Sequence, residues 1–296
     1  MIKRQVIGNR SPLVRGLVVT GLVICFTFCS VFFPGTAEAQ LPRERVETDA
    51  LVNDLFWAPT NIGISTVQNI AERNLTTSIA HAFGPVDGGI NRFFGLDDGA
   101  NTRLGLEYGL NDRLSLGLGR MTFNKVVDIR GKANFLRQTE RGHPPIDLAT
   151  KVSMGISTLS GAGLEFSDRL SYLVSIMVAR KFDRLSMQLA PMASYFNSAP
   201  GNSQSYLYGV GVLAQYEITS RFALSAEYLP VLGDRNQGTA DAMGIALNID
   251  TGGHVFQIFF TSSQWHNEQY IMAGNRDRFW EGDMRFGFNI HRVFGL

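Results

Sequence analysis

Apolar and polar residues alternate with a period of two over much of the chain, and the segment 103–120 shows this most clearly. The first half of the segment carries Leu104, Leu106, Tyr108 and Leu110 on one parity, and Arg103, Gly105, Glu107 and Gly109 on the other. A period of two places successive side chains on opposite faces of a β-strand. The dipeptide at 111–112 favours a turn, because the short side chains of Asn and Asp bond their own backbone. The segment therefore predicts a β-hairpin.

The same alternation predicts twelve strands from residue 75 onward. They lie at about 75–83, 102–110, 113–123, 126–137, 144–157, 169–181, 185–196, 205–218, 221–232, 240–250, 254–263 and 283–295. Most are close to the roughly 9–11 residues that a tilted strand needs to cross a bilayer. Short connections alternate with long ones, which is typical of membrane barrels with short periplasmic turns and longer external loops. Two connections break the alternation, since 124–125 is short and 138–143 is long.

The polar face of the predicted strands consists mainly of Gly and Ser with scattered charges. Charged residues make up 18% of the sequence, compared with roughly 25% in ordinary soluble domains. Such a face suits a crowded barrel interior, and the apolar face would then meet lipid. A soluble β-sandwich also alternates, so one hairpin does not separate these alternatives.

The first 39 residues have the features of a secretory signal peptide. A basic start is followed by the uncharged, largely apolar run 16–33, a Pro-Gly break and the small-x-small sequence at 37–39. Cleavage before Gln40 would remove Cys25 and Cys29 and leave the mature chain without cysteine. Neither a disulfide framework nor a thiolate site would then be available.

These features together predict an all-β protein, an antiparallel transmembrane barrel of about twelve strands in the bacterial outer membrane. We expect a signal peptide at 1–39, an irregular periplasmic segment at 40–74 and the barrel domain at 75–296. Phe294 and Leu296 end the chain on the apolar parity. This ending resembles the C-terminal signal that the barrel-assembly machinery recognises, although Leu replaces the usual aromatic residue.

The expected partners are outer-membrane lipid, the barrel-assembly machinery during biogenesis, and a small solute or a protein that the sequence does not identify. Removing four basic residues and one Glu with the signal peptide leaves 23 basic and 25 acidic residues, a net charge of −2. Without a basic patch, nothing indicates nucleic-acid binding.

Three sequence motifs resemble a family of bacterial β-barrel proteins that is classed as a domain of unknown function. They are His81-Ala82-Phe83-Gly84, Phe93-Phe94-Gly95-Leu96-Asp97, and R-x-G-L-x-Y-G-L-x-D-R-L-x-x-G-x-G-R over residues 103–120. The chain departs from the family pattern where Ala80 and Ala82 flank His81, and where Met121 follows the last motif. The resemblance implies an outer-membrane barrel and supplies no activity.

The polar parity predicts a set of lumen-facing side chains. They are Arg103, Glu107, Arg130, Lys132, Asp147, Lys151, Glu217, Glu227, Arg285, Asn289 and His291. Their mixed charges are compatible with an ion-pair network that fills a narrow barrel, and equally with the lining of a small pore. The glycines at 117 and 119 are expected to let neighbouring side chains pack in the lumen, since no helix follows them to form a dinucleotide site.

The family-motif loop around Phe93, Phe94, Gly95, Leu96 and Asp97 is expected to fold inward or to pack on the rim through its Phe pair. An alternative role for its carboxylates as cation ligands is disfavoured, because the spacing does not match a calcium loop. No metal and no cofactor are therefore expected.

The sequence predicts no enzyme. A serine hydrolase needs a base within hydrogen-bond reach and a group that orients this base, and none of the five histidines lies in a recognisable motif. His81 is expected to be a strand-end residue tied to the backbone. The leading hypothesis is a narrow or gated channel for small solutes. The alternatives are a non-conducting structural or partner-binding barrel, and an outer-membrane hydrolase.

Overall fold

The computed structural model describes residues 50–159, 165–198 and 204–296, and the expected signal peptide lies outside these ranges. The described chain forms a closed antiparallel barrel of twelve strands with one short additional strand. The strands are β1 (Asn74–Pro85), β2 (Asn101–Asn111), β3 (Leu114–Met121), β4 (Val126–Leu136), β5 (Asp147–Ser157), β6 (Leu170–Phe182), β7 (Leu185–Phe196), β8 (Tyr206–Glu217), β9 (Phe222–Leu229), β10 (Val231–Leu232), β11 (Ala242–Asp250), β12 (His254–Thr261) and β13 (Arg285–Gly295). β13 pairs with β1 and closes the sheet. The prediction of about twelve antiparallel strands is confirmed.

The predicted strand 221–232 is divided at Pro230. A proline has no backbone N–H to donate to the sheet, so β9 ends before it and the two residues of β10 resume pairing with β8. The carbonyl of Pro230 still accepts a hydrogen bond from the Val210 amide at 3.2 Å. The division therefore does not open the barrel between β8 and β9, which remain paired.

The barrel has an apolar outer surface and a polar interior. Leu104 and Leu106 of β2 are 57% and 47% exposed, whereas Arg103 and Glu107 on the opposite parity are buried. A soluble sheet protein shows the reverse arrangement, and an apolar outer band is what lipid requires. No helix of the described chain is long and apolar enough to cross a membrane.

The connections separate into two ends of the barrel. The start of β1, the end of β13 and the connections after β2, β4, β6, β8 and β11 lie at one end of the barrel. We call this end the tight-turn end. The remaining connections form the loop end. In outer-membrane barrels the short turns face the periplasm and the longer loops face outward.

The long connection 137–146 at the tight-turn end holds the chain that precedes the barrel. Val52 donates its amide to the carbonyl of Gln138 at 2.8 Å, and Glu140 donates to the carbonyl of Ala50 at 2.9 Å. This contact accounts for one break in the alternation of short and long connections. The other, between β3 and β4, is a single 3₁₀ turn at Phe123–Lys125.

Residues 57–68, which we call the finger, form a hairpin-like insertion inside the lumen. Thr60 bridges to Ser65, and the Asn61 amide donates to the carbonyl of Ile64 at 2.9 Å. The finger enters from the tight-turn end, because it lies between the chain held at 137–146 and the start of β1. The expectation of a periplasmic segment at 40–74 did not include this insertion, which places residues 57–68 inside the lumen. Ile62, Ile64 and Val67 of the finger are all buried, so leaving the lumen would expose apolar surface to water.

A second insertion enters from the loop end. Residues 262–275 follow β12, and we call them the inner loop; they include the helix α1 (Glu268–Gly274). Trp265, Tyr270 and Met272 of this loop are buried. The two insertions meet at the Ser65 amide, which donates to the Glu268 carboxylate at 2.9 Å. The lumen is thus filled by separate segments that enter from opposite ends.

Candidate functional site

Charged side chains are concentrated on the inner face of β2 to β5, which we call the basic wall. Its cations are Arg103, Arg130, Lys132 and Lys151, and its mid-barrel carboxylates are Glu107 and Asp128. Arg103 contacts Asp128 at 2.6 Å, Arg130 lies 3.7 Å from the same carboxylate, and Lys132 lies 3.5 Å from Glu107. Buried charges need such partners, because desolvation of an unpaired ion is costly.

The glycines of the segment 103–120 make room for the two arginine side chains. A Cβ atom on Gly119 would overlap the Arg103 guanidinium, and a Cβ on Gly117 would lie 2.8 Å from Cγ of Arg130. Both side chains therefore lie flat against glycine positions of β3. The arrangement is the close packing that the sequence analysis expected of Gly117 and Gly119.

Glu227 of β9 holds the tip of the finger. Its carboxylate accepts hydrogen bonds from the amides of Ile62, Gly63 and Ile64 at 3.0, 2.9 and 3.3 Å. The side-chain amide of Asn61 donates a fourth bond at 3.2 Å. These four donors replace part of the solvation that the buried carboxyl group has lost. A single acidic residue of β9 therefore binds all four donors of the finger tip.

Wall side chains also satisfy the rest of the finger backbone. Gln188 of β7 accepts from the Val67 amide at 2.7 Å and donates to the Ser65 carbonyl at 2.8 Å. Lys132 donates to the Thr66 carbonyl at 3.3 Å, and Asn289 of β13 donates to the carbonyl of Asn61 at 2.9 Å. The finger has almost no backbone pairing with the strands and depends on side chains from several of them.

Small wall residues accept the apolar side chains of both insertions. A Cβ on Gly211 would lie 3.1 Å from Ile64, and a Cβ on Gly244 would lie 2.7 Å from Ile62. A Cβ on Gly209 would lie 2.7 Å from the sulfur of Met272 in α1. Larger residues at these inward positions would compete with the insertions for space.

The inner loop is held by a buried ion pair. Lys151 of β5 donates to both carboxylate oxygens of Glu268, at 2.9 and 2.7 Å, and to the hydroxyl of Ser65 at 2.7 Å. Burial alone would raise the pKa of Glu268. The Lys151 ammonium and the hydrogen bonds to the carboxylate outweigh burial and lower this pKa to about 2. Glu268 is therefore an anion at neutral pH.

Residues 56–294 match the family described as "Membrane bound beta barrel domain (DUF5777)". The chain belongs to this family. The match begins at residue 56, so it includes the finger as well as the strands. The family and the fold place the protein in the bacterial outer membrane. No curated protein matches the sequence.

Solved structures with the same type of fold include an outer membrane channel from Pseudomonas putida F1. The two chains are 14% identical, the comparison covers 76% of this chain and 96% of that chain, and the TM-score is 0.50. The NanC porin is 10% identical over 74% of this chain and 99% of that chain, with a TM-score of 0.48. An active-site mutant of outer membrane phospholipase A from Escherichia coli is 10% identical over 75% and 91%, with a TM-score of 0.43. At such identities the likeness concerns the fold alone.

In this DUF5777 barrel the eleven residues of the predicted lumen set do not form one site. Eight are buried, and Arg130, Glu217 and Arg285 are partly buried. Glu217 pairs with Lys181 at 2.6 Å near the tight-turn end, and Arg285 pairs with Asp277 at 2.6 Å near the loop end. Asp147 accepts a hydrogen bond from the Gln138 amide in the connection 137–146. His291 is buried, and neither of its ring nitrogens has a hydrogen-bond partner within the described ranges.

Of the two placements expected for the motif loop 93–97, inward folding is not observed, and packing on the rim stays a prediction. Phe93 and Phe94 of the motif loop are 53% and 52% exposed and do not enter the lumen. Asp98 of that loop pairs with Arg92 at 3.4 Å. The inner loop at 262–275 takes the inward position instead. Aromatic content does not distinguish the two loops by sequence, because Trp265 and Tyr270 of the inner loop are buried whereas Phe93 and Phe94 of the motif loop are exposed.

The histidines do not form a recognisable catalytic site in the described chain. His81 faces outward, and its Nδ1 lies 2.8 Å from the hydroxyl of Thr102. Its partner is therefore a side chain, which corrects the expected tie to the backbone. No carboxylate is hydrogen-bonded to that ring in the described residues, so the orienting group of a nucleophile–base pair is not present there. The described residues also contain no group of three or more His, Cys, Asp or Glu side chains placed to hold a metal.

Proposed function

We propose that the protein is a gated outer-membrane channel for small polar solutes, and that the filled lumen is its closed state. One observation carries this proposal. The inner wall is polar and charged, yet two separate chain segments that enter from opposite ends cover it. An eight-stranded barrel can be filled by its own wall side chains, whereas wider barrels enclose cavities or channels. Twelve strands leave a lumen that the two insertions occupy.

The contacts that hold the finger in the lumen are of a kind that would allow the finger to move out. They are mainly side-chain hydrogen bonds to Glu227, Gln188, Asn289 and Lys132. Water can replace such bonds at a small net cost once the site opens, because the net contribution of one bond is roughly 1 kcal/mol. The strands, by contrast, are held by backbone ladders that lipid prevents from opening. Movement of the insertions within a fixed barrel is the corresponding gating mechanism.

A disulfide between the finger and the wall tests the proposal. Ile64→Cys with Gly211→Cys is a suitable pair, because a Cβ at residue 211 would lie 3.1 Å from Cγ2 of Ile64. We expect protein purified from outer membranes to give discrete conductance steps in planar bilayers when reduced. Oxidation should abolish these steps, and a reductant should restore them.

A wall-to-wall disulfide provides the matched control. Ala190 is the cross-strand partner of Gly211, and a Cβ on Gly211 would lie 3.3 Å from that of Ala190. The pair Ala190→Cys with Gly211→Cys shares one substitution with the test pair but leaves the finger free. Oxidation should not change its conductance. A wild-type protein that stays silent, although heat-modifiable migration shows a folded barrel, would contradict the channel proposal.

A non-conducting, partner-binding barrel is the second candidate, and exposed aromatic residues at the loop end favour it. Phe93 and Phe94 are about half exposed, and Trp280 is 80% exposed. Exposed apolar residues that cluster on one surface often mark interaction sites. A silent bilayer together with loss of partner capture by Phe93→Ser/Phe94→Ser would support this candidate. The expectation that the protein is not an enzyme stays a prediction.

A further inference from the structure

The basic wall brings like charges together in an unusual way. Lys132 of β4 and Lys151 of β5 are direct cross-strand partners, and Arg130 lies two positions from Lys132 on the same face. Like charges directly opposite each other destabilise a sheet. A cross-strand pair of buried lysines therefore requires anions close by.

The wall itself supplies too few anions. Its four cations face two mid-barrel carboxylates, an excess of two positive charges, and of these four cations Lys151 has no carboxylate partner on the basic wall. Glu107 lies beside Lys132, and Asp128 serves Arg103 and Arg130. The Nε atom of Arg130 has no hydrogen-bond partner in the part of the chain that the structure describes.

The missing anion at Lys151 is delivered by the inner loop. The carboxylate of Glu268 lies against the Lys151 ammonium, with Ser65 donating from its amide at 2.9 Å. All three residues are at most 4% exposed. A carboxylate thus occupies a pocket that is completed by one ammonium and one backbone amide.

We propose that Lys151, with Lys132 and Arg130 beside it, is a binding site for small carboxylate solutes, and that Glu268 occupies this site in the closed state. The inference rests on the proposed channel function, because it names the class of solute that the channel takes. A carboxylate solute competes with Glu268 for Lys151 and so favours release of the inner loop. The opposite acidic residue, Glu227, remains covered by the finger amides during this exchange.

Ion selectivity tests the site in protein purified from outer membranes. Glu268→Gln keeps the shape of the side chain but removes its charge, so the wall gains a free cation. We expect a higher open fraction and a several-fold rise in chloride over potassium permeability, measured from the reversal potential in a KCl gradient. Adding Lys151→Gln to this variant should remove the gain.

Asp277→Asn is the matched control. Asp277 lies between β12 and β13, as Glu268 does, and pairs with a basic residue outside the basic wall, Arg285 of β13, at 2.6 Å. Its substitution changes the total charge by the same amount at a different place, so selectivity should stay near that of the wild type. Equal effects of Asp277→Asn and Glu268→Gln would overturn the proposed site. So would an anion preference that persists in Glu268→Gln/Lys151→Gln.

A binding measurement separates failure of the site from failure of the channel. Trp265 stacks on Tyr270 with ring centroids 5.5 Å apart, three residues before Glu268. Titration of Glu268→Gln with succinate should change tryptophan fluorescence in a saturable way, whereas its neutral diamide should not. Lys151→Gln should abolish the response. If no variant conducts but this response is present, the channel proposal fails and the carboxylate site stands. If there is no response to succinate, the site is refuted even where conductance is observed.

Discussion

At the scale of single residues, glycine on the polar parity has a specific role in this barrel. Arg103 lies over Gly119 to reach Asp128, and Arg130 lies over Gly117. Small residues that alternate with charged ones on one face therefore indicate that a long side chain from a neighbouring strand extends over the small positions. The ion pair between Arg103 and Asp128 joins β2 to β4 across β3. The alternation along a single strand cannot predict a contact between strands that are not adjacent.

Gly119→Val should strongly destabilise the barrel. The valine side chain would occupy the place of the Arg103 guanidinium and leave Asp128 buried without its partner, at a cost of about 3–5 kcal/mol. Urea unfolding of the purified barrel measures this loss. Gly131→Val on β4 is the control, because the nearest atom to its Cβ would be at 3.6 Å, an ordinary contact. Similar losses for both variants would show that strand propensity, and not the arginine, decides the cost.

Period-two alternation was sufficient to predict the parity of the inward residues but not their partners. Arg103 and Lys151 were both expected in the lumen, and both are buried. The sequence did not indicate that Asp128 pairs with Arg103 or that Glu268 pairs with Lys151, since these contacts depend on strand register and on the path of a loop. Residues on the polar parity could be identified, whereas the network they form could not.

At the scale of elements, the finger is the part that sequence reasoning did not find. Alternation within residues 57–68 is confined to Ile62-Gly63-Ile64-Ser65, and the hydrogen-bond partners of the finger include side chains of β4, β7, β9 and β13. The local sequence therefore does not predict that this segment inserts into the lumen. Gly63 donates its amide to Glu227, and the side chains of Ile62 and Ile64 pack against Gly244 and Gly211. These partners lie far from the finger in the sequence.

Glu227→Ala should release the finger while the barrel stays closed. The change leaves three backbone amides of the finger tip without acceptors, and the net contribution of each such hydrogen bond is roughly 1 kcal/mol. Amide hydrogen exchange of Ile62, Gly63 and Ile64 should therefore accelerate by about tenfold or more. Glu217→Ala is the control, since Glu217 contacts the finger only through the Trp57 side chain at 3.3 Å. Unchanged protection at 62–64 in Glu227→Ala would contradict the anchoring role.

At the scale of the whole molecule, different interactions stabilise the barrel and the two insertions in its lumen. Twelve strands close on one another through backbone hydrogen bonds, and lipid makes any opening of this ladder very costly. The insertions depend on a few charged side chains, above all Glu227 and the Glu268–Lys151 pair. The class of fold and its location were predictable, because alternation and connection lengths determine them. The contents of the lumen were not, because they depend on long-range side-chain contacts.

Acid should therefore separate the inner loop from the barrel. The pKa of Glu268 is lowered from 4.5 to about 2 in the folded state, so its ion pair contributes stability above pH 4.5 and loses this contribution as the pH falls towards 2. Trp265, which lies in the same loop, should report the change in its fluorescence. Strand content and heat-modifiable migration should persist over that range, because the backbone hydrogen bonds that close the barrel do not titrate and lipid keeps them paired. Glu268→Gln should lack the acid step, since its side chain does not ionise. A single transition in which fluorescence and strand content change together would mean that the insertions and the barrel form one cooperative unit, and the gating mechanism would then be wrong.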